Sequence, residues 1–410
     1  MRPDIALMIA VFLDLLGFGM IVTNVQLHIE SLVPKGFPAG PVIGAVLAST
    51  FVVQTLVSPR WGEASDRIGR KPVVVICSVL SAVGMLVYGF SVNLPLAFLS
   101  RIFSGLGAAN VAVAQAMLSD EYEGEARTAA LGRLSAALSA GLIIGPILGG
   151  QLAKRGHALT FGLLPDGAMA VGVVGGIASM LGALVLFLAL PNVPPKEARQ
   201  PGAKRMVFDV ALLKDVPAVR PLILMAAIAW FSLAMLEGTF LRLINRLFGY
   251  DEDAFGFIFG YESLLGVVIQ GVAIGWLARK FGDRRLLVVA YLAQGLGLAL
   301  NPFAGTLQSF IWPLATLFVA STLFAFGTGV ANPTIGGLAS KAVPSDRQGE
   351  LFGLLQAARS IGFVLGPILG GALFDVHPAW PYYLAGLVCV GAALVVSRWS
   401  EAKPTGTVNV

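Results

Sequence analysis

Uninterrupted apolar runs long enough to cross a bilayer recur along this chain, among them Gly36–Pro59, Val73–Pro95 and Ala168–Leu190. A membrane-spanning helix needs about 20 mostly apolar residues. Composition agrees: 56% of residues are hydrophobic and 12% are charged, against about a quarter charged in soluble domains. The chain reads as an all-α integral membrane protein with no large soluble domain left over. Its first run follows only Met1–Asp4 and carries Asp14 in its middle. That suits neither the basic start nor the clean apolar core of a signal peptide, so the run is expected to remain as the first helix.

Twelve helices are expected, roughly at 4–30, 40–60, 72–92, 95–118, 128–152, 168–190, 220–246, 254–279, 285–303, 310–338, 348–374 and 380–398. With a cytoplasmic N-terminus, only Lys35, Lys154, Arg155, Arg242 and Arg246 of the 28 Lys and Arg fall in external loops, and only Arg101 and Arg359 in spans. The others lie on the cytoplasmic side, which fixes the orientation with both termini inside. Orientation, rather than a nucleic-acid partner, accounts for the formal charge of +5. The stretch 191–219 is rich in proline and basic residues and reads as a cytoplasmic linker. It divides an N-terminal six-helix bundle, 1–190, from a C-terminal one, 220–398, which is followed by a cytoplasmic tail, 399–410. Within the linker, Met206–Val216 has apolar residues at loosely helical spacing, as a helix lying on the membrane surface would. A plain solvated linker fits equally.

An internal repeat supports this division. GPILGG occurs at Gly145–Gly150 and again at Gly366–Gly371, 221 residues later. Gly105, Gly107 and Asn110 recur as Gly327, Gly329 and Asn332 at an offset of 222. A weaker pair is Trp61–Val74, WGEASDRIGRKPVV, with Gly275–Arg285, GWLARKFGDRR, where Arg279 stands in place of Asp66.

The first of these, with Gly62, Asp66, Arg67, Gly69, Arg70 and Lys71 between two uncharged runs, closely resembles the loop between helices 2 and 3 of the major facilitator superfamily of transporters. The resemblance covers roughly Asp4–Ser397. It implies two parallel six-helix repeats, a substrate site near the midplane between them, a monomer, and a multi-pass protein of the plasma (bacterial inner) membrane. It also implies that Asp66 and Arg70 form a charge relay with Asp120, at the cytoplasmic end of helix 4, that latches the outward-facing state. The bland alternative makes Arg67, Arg70 and Lys71 topological anchors only.

Two further segments resemble proton-coupled drug antiporters. RIFSGLGAAN, Arg101–Asn110, resembles their second motif through Arg101, Gly105, Gly107, Ala108 and Ala109; an Arg inside a span is costly unless paired or hydrated. Snorkelling to the outer interface is its structural alternative. GLIIGPILGG carries Gly141, Gly145, Pro146, Gly149 and Gly150 in the pattern that marks antiporters in the superfamily. Physically, glycines four apart let another helix approach closely, which simple packing would also explain.

Asp14 lies near the bilayer centre, where an unpaired carboxylate is expensive. A carboxylate that alternates between water and a cationic partner loads and releases a proton, which an antiporter requires. LDLLGFG around it resembles the first helix of tetracycline-type exporters, but Thr23, Asn24, Val25 and Gln26 replace their proline-rich continuation. A permanently paired structural carboxylate is the alternative. Glu237 in helix 7 is the better second carboxylate, for proton coupling or for a cationic drug, and Arg101 joins Asp14 and Glu237 as a proton-coupling candidate; Glu262 is expected to begin helix 8 beside Tyr261 and to be interfacial. Asn24, Gln54, Gln115, Asn332, Gln356 and Arg359 are candidates to line a substrate cavity, or else to join helices by hydrogen bonds. Trp230, Phe231 and Phe240 could stack on a flat ligand, though lipid-facing or core aromatics are commoner.

Cys77 and Cys389 lie in apolar runs and offer no disulfide or zinc framework. His28, His157 and His377 are scattered near the external side, which suits an interface more than a metal site. There is no Walker A sequence, and Gly105-x-Gly107 lies inside a helix with Asn110 in the place of a third glycine. No cofactor is expected, and an enzyme would need a catalytic cluster that is not visible. The partners expected are a small-molecule substrate, protons and the bilayer. The expectation is proton-coupled export of small amphipathic compounds or drugs by alternating access. Metabolite uptake or facilitated diffusion on the same fold is the alternative.

Overall fold

The computed structural model describes residues 2–191, 211–306, 311–344 and 347–398. Of the expected linker, 192–210 lies outside these residues, and so does the tail 399–410.

Among the described residues, 12 helices are long and apolar enough to cross a membrane. Several are interrupted. The first span is α1 (Pro3–Val22) followed by α2 (Val25–Leu32). Thr23 Oγ1 donates to the Met20 carbonyl at 2.6 Å, a local bond that competes with the helical ladder at the break. α3 (Ala39–Ile68) continues well past the expected end of helix 2 and is followed at once by α4 (Arg70–Gly89). The turn between them is Gly69 alone, at φ +97°, a conformation that side-chain-bearing residues avoid. Gly62, Asp66 and Arg67 are therefore helical rather than part of a loop.

The fourth span is α5 (Leu94–Gly107) and α6 (Asn110–Glu121), and α5 is capped by Asn93 Oδ1, which accepts from the Leu96 N–H at 3.0 Å. α7 (Gly124–Leu159) outruns its expected end and takes in Lys154 and Arg155; α8 (Ala168–Ala189) follows. After the short α9 (Ala211–Asp215), the seventh span divides into α10 (Val219–Glu237) and α11 (Phe240–Phe248) at Gly238–Thr239. The eighth is α12 (Glu252–Val268), a π turn (Ile269–Ala273) and α13 (Ile274–Phe281), so Glu262 lies within α12 rather than beginning it. The rest are α14 (Asp283–Ala304), α15 (Ile311–Ala342), α16 (Gln348–Val376) and α17 (Trp380–Arg398).

Contacts group the chain into two compact units, one of Met1–Arg205 with Gly238–Leu264 and one of Met206–Glu237 with Leu265–Val410. In the first, α1 packs on α7 and α8, α4 on α5 and α8, and α3 on α5. Its buried apolar side chains form two clusters. One holds Leu7, Val11, Val73, Val113 and Leu186; the other holds Met20, Ile21, Met85, Tyr88 and Val171. In the second unit, α14 packs on α15 and α17, and α10 on α16 and α17. α9 belongs to this unit: Leu212 is fully buried, and Arg347 bonds both Asp215 (2.9 Å) and Glu350 (2.7 Å). Those two carboxylates raise the Arg347 pKa above its ordinary value.

Candidate functional site

Asp14 lies in α1 between the two apolar clusters of the first unit and is only 5% exposed. Three helices bring neutral donors to it. Asn110 Nδ2 of α6 donates to Oδ2 at 2.5 Å, and Ser179 Oγ of α8 donates to Oδ1 at 2.5 Å. The Ser81 hydroxyl of α4 also bonds to it. Ser179 lies 3.3 Å from the Ser78 carbonyl as well, so a polar layer crosses an otherwise apolar bundle. No cation pairs with Asp14 among the described residues. The sequence singled out Asp14 and Asn110 but not Ser78, Ser81 or Ser179, because a small hydroxyl in an apolar run looks like any other small packing residue.

Arg101 is 4% exposed, which rules out snorkelling, and it does not meet Asp14. Its guanidinium carbon lies 5.2 Å from the centroid of the Tyr88 ring, and Nε is 3.3 Å from Ser100 Oγ. Nη2 has no hydrogen-bond partner among the described residues. Tyr88 Oη donates to Asn24 Oδ1 at 2.7 Å, and Asn24 Nδ2 donates to Glu252 Oε1 at 3.1 Å. Asn24 is thus buried in a chain of hydrogen bonds that ends on a cavity of about 410 Å³ lined by His28, Ser91, Asp166 and Glu252. His28 itself is held by Ser91, the backbone N–H of His157 donates to Asp166 Oδ1, and His377 Nδ1 accepts from the Ala379 N–H.

At this end of the unit, charged residues fasten the segment 238–264. Glu30 accepts from Arg242 at 2.9 Å and from Arg246 at 3.2 Å. Both arginines, expected in an external loop, are in α11, and the Arg242 side chain is 1% exposed. Lys154 pairs with Asp251 at 2.6 Å, and Gln151 bonds Asp253. Burial pushes the Asp251 carboxyl up, but Lys154 and the Ala254 N–H outweigh it and hold the pKa below the ordinary value. A lowered pKa means that this contact is at full strength above the ordinary carboxylate range and fades only as pH falls through the lowered value. It therefore stays intact in mild acid. Sequence reading missed this network, because Glu30, Lys154 and Glu252 sit at span ends where charge is unremarkable.

The glycines of α7 face two partners. A Cβ on Gly141 would lie 2.9 Å from the Phe12 carbonyl, one on Gly145 2.7 Å from the Leu16 carbonyl, and one on Gly149 2.5 Å from Met20 Cα. These three form the seam with α1, where the Pro146 ring also abuts Gly19. Gly150 instead abuts the Glu252 backbone, and the Pro146 carbonyl abuts Gly256 of α12. The second copy of the repeat makes an equivalent seam: Gly362 and Gly366 of α16 press on the backbone of Trp230, Phe231 and Met235 in α10.

At the Gly69 end, Arg70 pairs with Asp66 at 2.7 Å and Asp120 at 3.2 Å, and donates to Ser65 Oγ at 2.5 Å. Lys71 donates to the Leu190 carbonyl at 2.6 Å, closing the end of α8. Trp61 Nε1 ties α3 to the Leu106 carbonyl at 2.8 Å. Arg67 is exposed, and Gly62 faces open space, with nothing within 4 Å of where its Cβ would be. The second unit repeats the turn with inverted charge. Gly282, at φ +76°, precedes Asp283, the first residue of α14 as Arg70 is of α4. Asp283 pairs at 2.8 Å with Lys341, which stands 221 residues after Asp120.

In the second unit, α10 and α16 bring Trp230, Glu237 and Arg359 together, all half-buried, while Gln356 is exposed. Phe231 is half-buried, and Phe240 is core in the first unit. Asn332 Nδ2 donates within its own helix, to the Thr328 carbonyl. Gln54 is half-buried and Gln115 exposed.

A sequence profile described as the Major Facilitator Superfamily matches residues 7–325 and 222–410. Multidrug resistance protein 1 of Bacillus subtilis (strain 168) is 28% identical over 392 residues, 94% of this chain and 93% of that protein. Tetracycline resistance protein, class D, of Salmonella ordonez is 27% identical over 383 residues, 91% of this chain and 90% of that one. The solved structure of the nucleoside transporter NupG covers 97% of this chain and 98% of its own with a TM-score of 0.72, at 17% identity, a likeness of fold alone.

Proposed function

Because the chain belongs to the Major Facilitator Superfamily, whose members are membrane transporters and not enzymes, we propose that it exports small amphipathic compounds in exchange for protons. Asp14 carries the reading: a carboxylate buried in the middle of a span, held by neutral donors and by no cation among the described residues. Such a group can change charge state, because neutral donors offset part of the cost of burying the ion and no fixed cation obliges it to remain one. The relatives named for multidrug and tetracycline resistance support export.

In this reading the bundles 1–190 and 220–398, joined by 191–219, alternate access to a shared substrate path. The protein works as a monomer in the plasma membrane with both termini cytoplasmic. An external proton loads Asp14 or Glu237 and favours substrate release; its discharge to the cytoplasm lets new substrate bind. Arg101, already stacked on Tyr88, supplies the cation of the coupling region. Gly141, Gly145, Pro146, Gly149 and Gly150 give the close packing on which the exchange turns. Asn24, Gln54, Gln115, Asn332, Gln356 and Arg359 are the polar groups offered to substrate.

Everted vesicles from an efflux-deficient bacterial host test this. Energised vesicles are expected to accumulate lipophilic dyes or antibiotics, and a protonophore is expected to abolish the accumulation. Accumulation indifferent to the protonophore would end the proton claim, and net uptake into intact cells would reverse the direction.

The ion cluster at Gly69 carries its own prediction. Arg70→Gln leaves Asp66 and Asp120 without their shared cation. These groups are partly exposed, and such pairs are worth at most about 1 kcal/mol in stability. Membrane abundance should therefore be unchanged while transport falls several-fold, if the cluster latches one state of the cycle. Equal transport at equal abundance would leave it a topological anchor.

A further inference from the structure

The Arg359 guanidinium of α16 lies 4.7 Å from the centroid of the Trp230 indole and 5.6 Å from that of Phe363. The two rings stand 5.7 Å apart, inclined at 38°. Glu237 falls seven residues after Trp230 on α10, hence on the same helical face, and it interacts electrostatically with Arg359. Gly362 sets the distance between the helices, since a Cβ there would come within 2.8 Å of Trp230 Cβ. Charged groups inside an apolar span are too costly to face lipid, so the half-buried Trp230, Glu237 and Arg359 open to water or protein over the buried Phe363 ring.

An aromatic face backed by a carboxylate is the arrangement that holds an organic cation. Here the chain supplies the cation itself. We propose that Trp230, Phe363 and Glu237 form a binding site for a lipophilic organic cation, and that Arg359 is its tethered competitor, displaced when the ligand seats. The proposal deepens the export reading by naming a substrate class, and it rests on that reading only for the claim that the bound cation is then transported. Displacement exchanges one positive charge for another on the rings, so the carboxylate keeps a counter-ion throughout the exchange. It also gives the site a built-in threshold: if Arg359 covers the indole in about nine molecules of ten, the apparent Kd is weaker than the intrinsic one by about tenfold.

The test is equilibrium binding of tetraphenylphosphonium to the full-length protein in nanodiscs, with no ion gradient. Arg359→Met is expected to bind about tenfold more tightly than wild type, and Arg359→Lys, which keeps a cation, close to wild type. Trp230→Leu should weaken binding both alone and combined with Arg359→Met. Unchanged or weaker binding by Arg359→Met overturns the proposal, as does loss of an anionic dye from that variant, which would make Arg359 an anion contact. If Arg359→Met does not fold, Arg359→Gln carries the same comparison. The two readings fail separately. Protonophore-insensitive transport with tighter Arg359→Met binding removes the proton and keeps the site; protonophore-sensitive transport with unchanged binding does the opposite.

Discussion

Gly149→Ala is expected to disrupt the first unit, whereas Gly62→Ala, with the same chemical change, is not. A Cβ on Gly149 would stand 2.5 Å from Met20 Cα and 2.6 Å from Thr23 Oγ1, and it would also meet the Met20 carbonyl oxygen. Two of these three atoms are backbone, so no rotamer change relieves the clash and α7 must move away from α1. Overpacking a tight site costs about 1–3 kcal/mol, occasionally more. Here the displaced seam runs on through Gly145 and Gly141, so the loss is expected at or above the top of that range. Membrane helices have little hydrophobic drive to reseal a widened interface, because lipid tails are as apolar as the helix surfaces they would cover. Gly62 meets nothing within 4 Å. Alanine there gains helix propensity, worth about 0.8–1 kcal/mol in an exposed helix. Thermal stability of the two purified variants decides it: a large fall for Gly149→Ala with no fall for Gly62→Ala is the expected pattern. Equal stability would show that the seam has slack.

The same seam shows what the sequence discloses and what it withholds. Span number, the repeat and the candidate glycines were all legible, because each is a pattern along one helix: apolar length, a recurring hexapeptide, spacing by four. Which partner each glycine meets was not, since Gly149 and Gly150 are adjacent in sequence yet face α1 and α12. Helix rotation decides that, and it depends on packing across the whole unit. The interruptions at Thr23–Asn24, Ala108–Ala109 and Gly238–Thr239 were hidden for a related reason: apolar residues on both sides keep the hydropathy continuous across a break in the ladder. Asp14 and Arg101 were found because charge inside a span is rare. They do not contact each other: Arg101 stacks on Tyr88, and Asp14 accepts from Asn110 and Ser179, which the sequence could not disclose. The inverted Asp283–Lys341 pair is hidden from a comparison of residue identities, because what the two units share there is the position of a pair and not its residues.

Asp14→Asn is expected to abolish gradient-driven transport while sparing the fold. The side chains are nearly isosteric, and the layer around Asp14 can reorganise: Ser179 Oγ, already 3.3 Å from the Ser78 carbonyl, can donate there and accept from the introduced amide. The structural cost should stay near that of one exchanged hydrogen bond, about 1 kcal/mol. Asp14→Leu is the contrasting variant. Ser179 keeps the Ser78 carbonyl, but Asn110 and Ser81 lose their acceptor at once, and leaving buried donors unsatisfied costs about 1–3 kcal/mol each, so this protein should lose stability outright. An amide does not titrate near neutral pH, so it cannot carry a net proton through the cycle. If Asp14 carries the coupled proton, Asp14→Asn keeps substrate binding and substrate-for-substrate exchange across the vesicle membrane but loses accumulation driven by the pH gradient. Full pH-driven accumulation at equal membrane abundance would instead make Asp14 part of a structural polar layer and leave Glu237 to carry the proton.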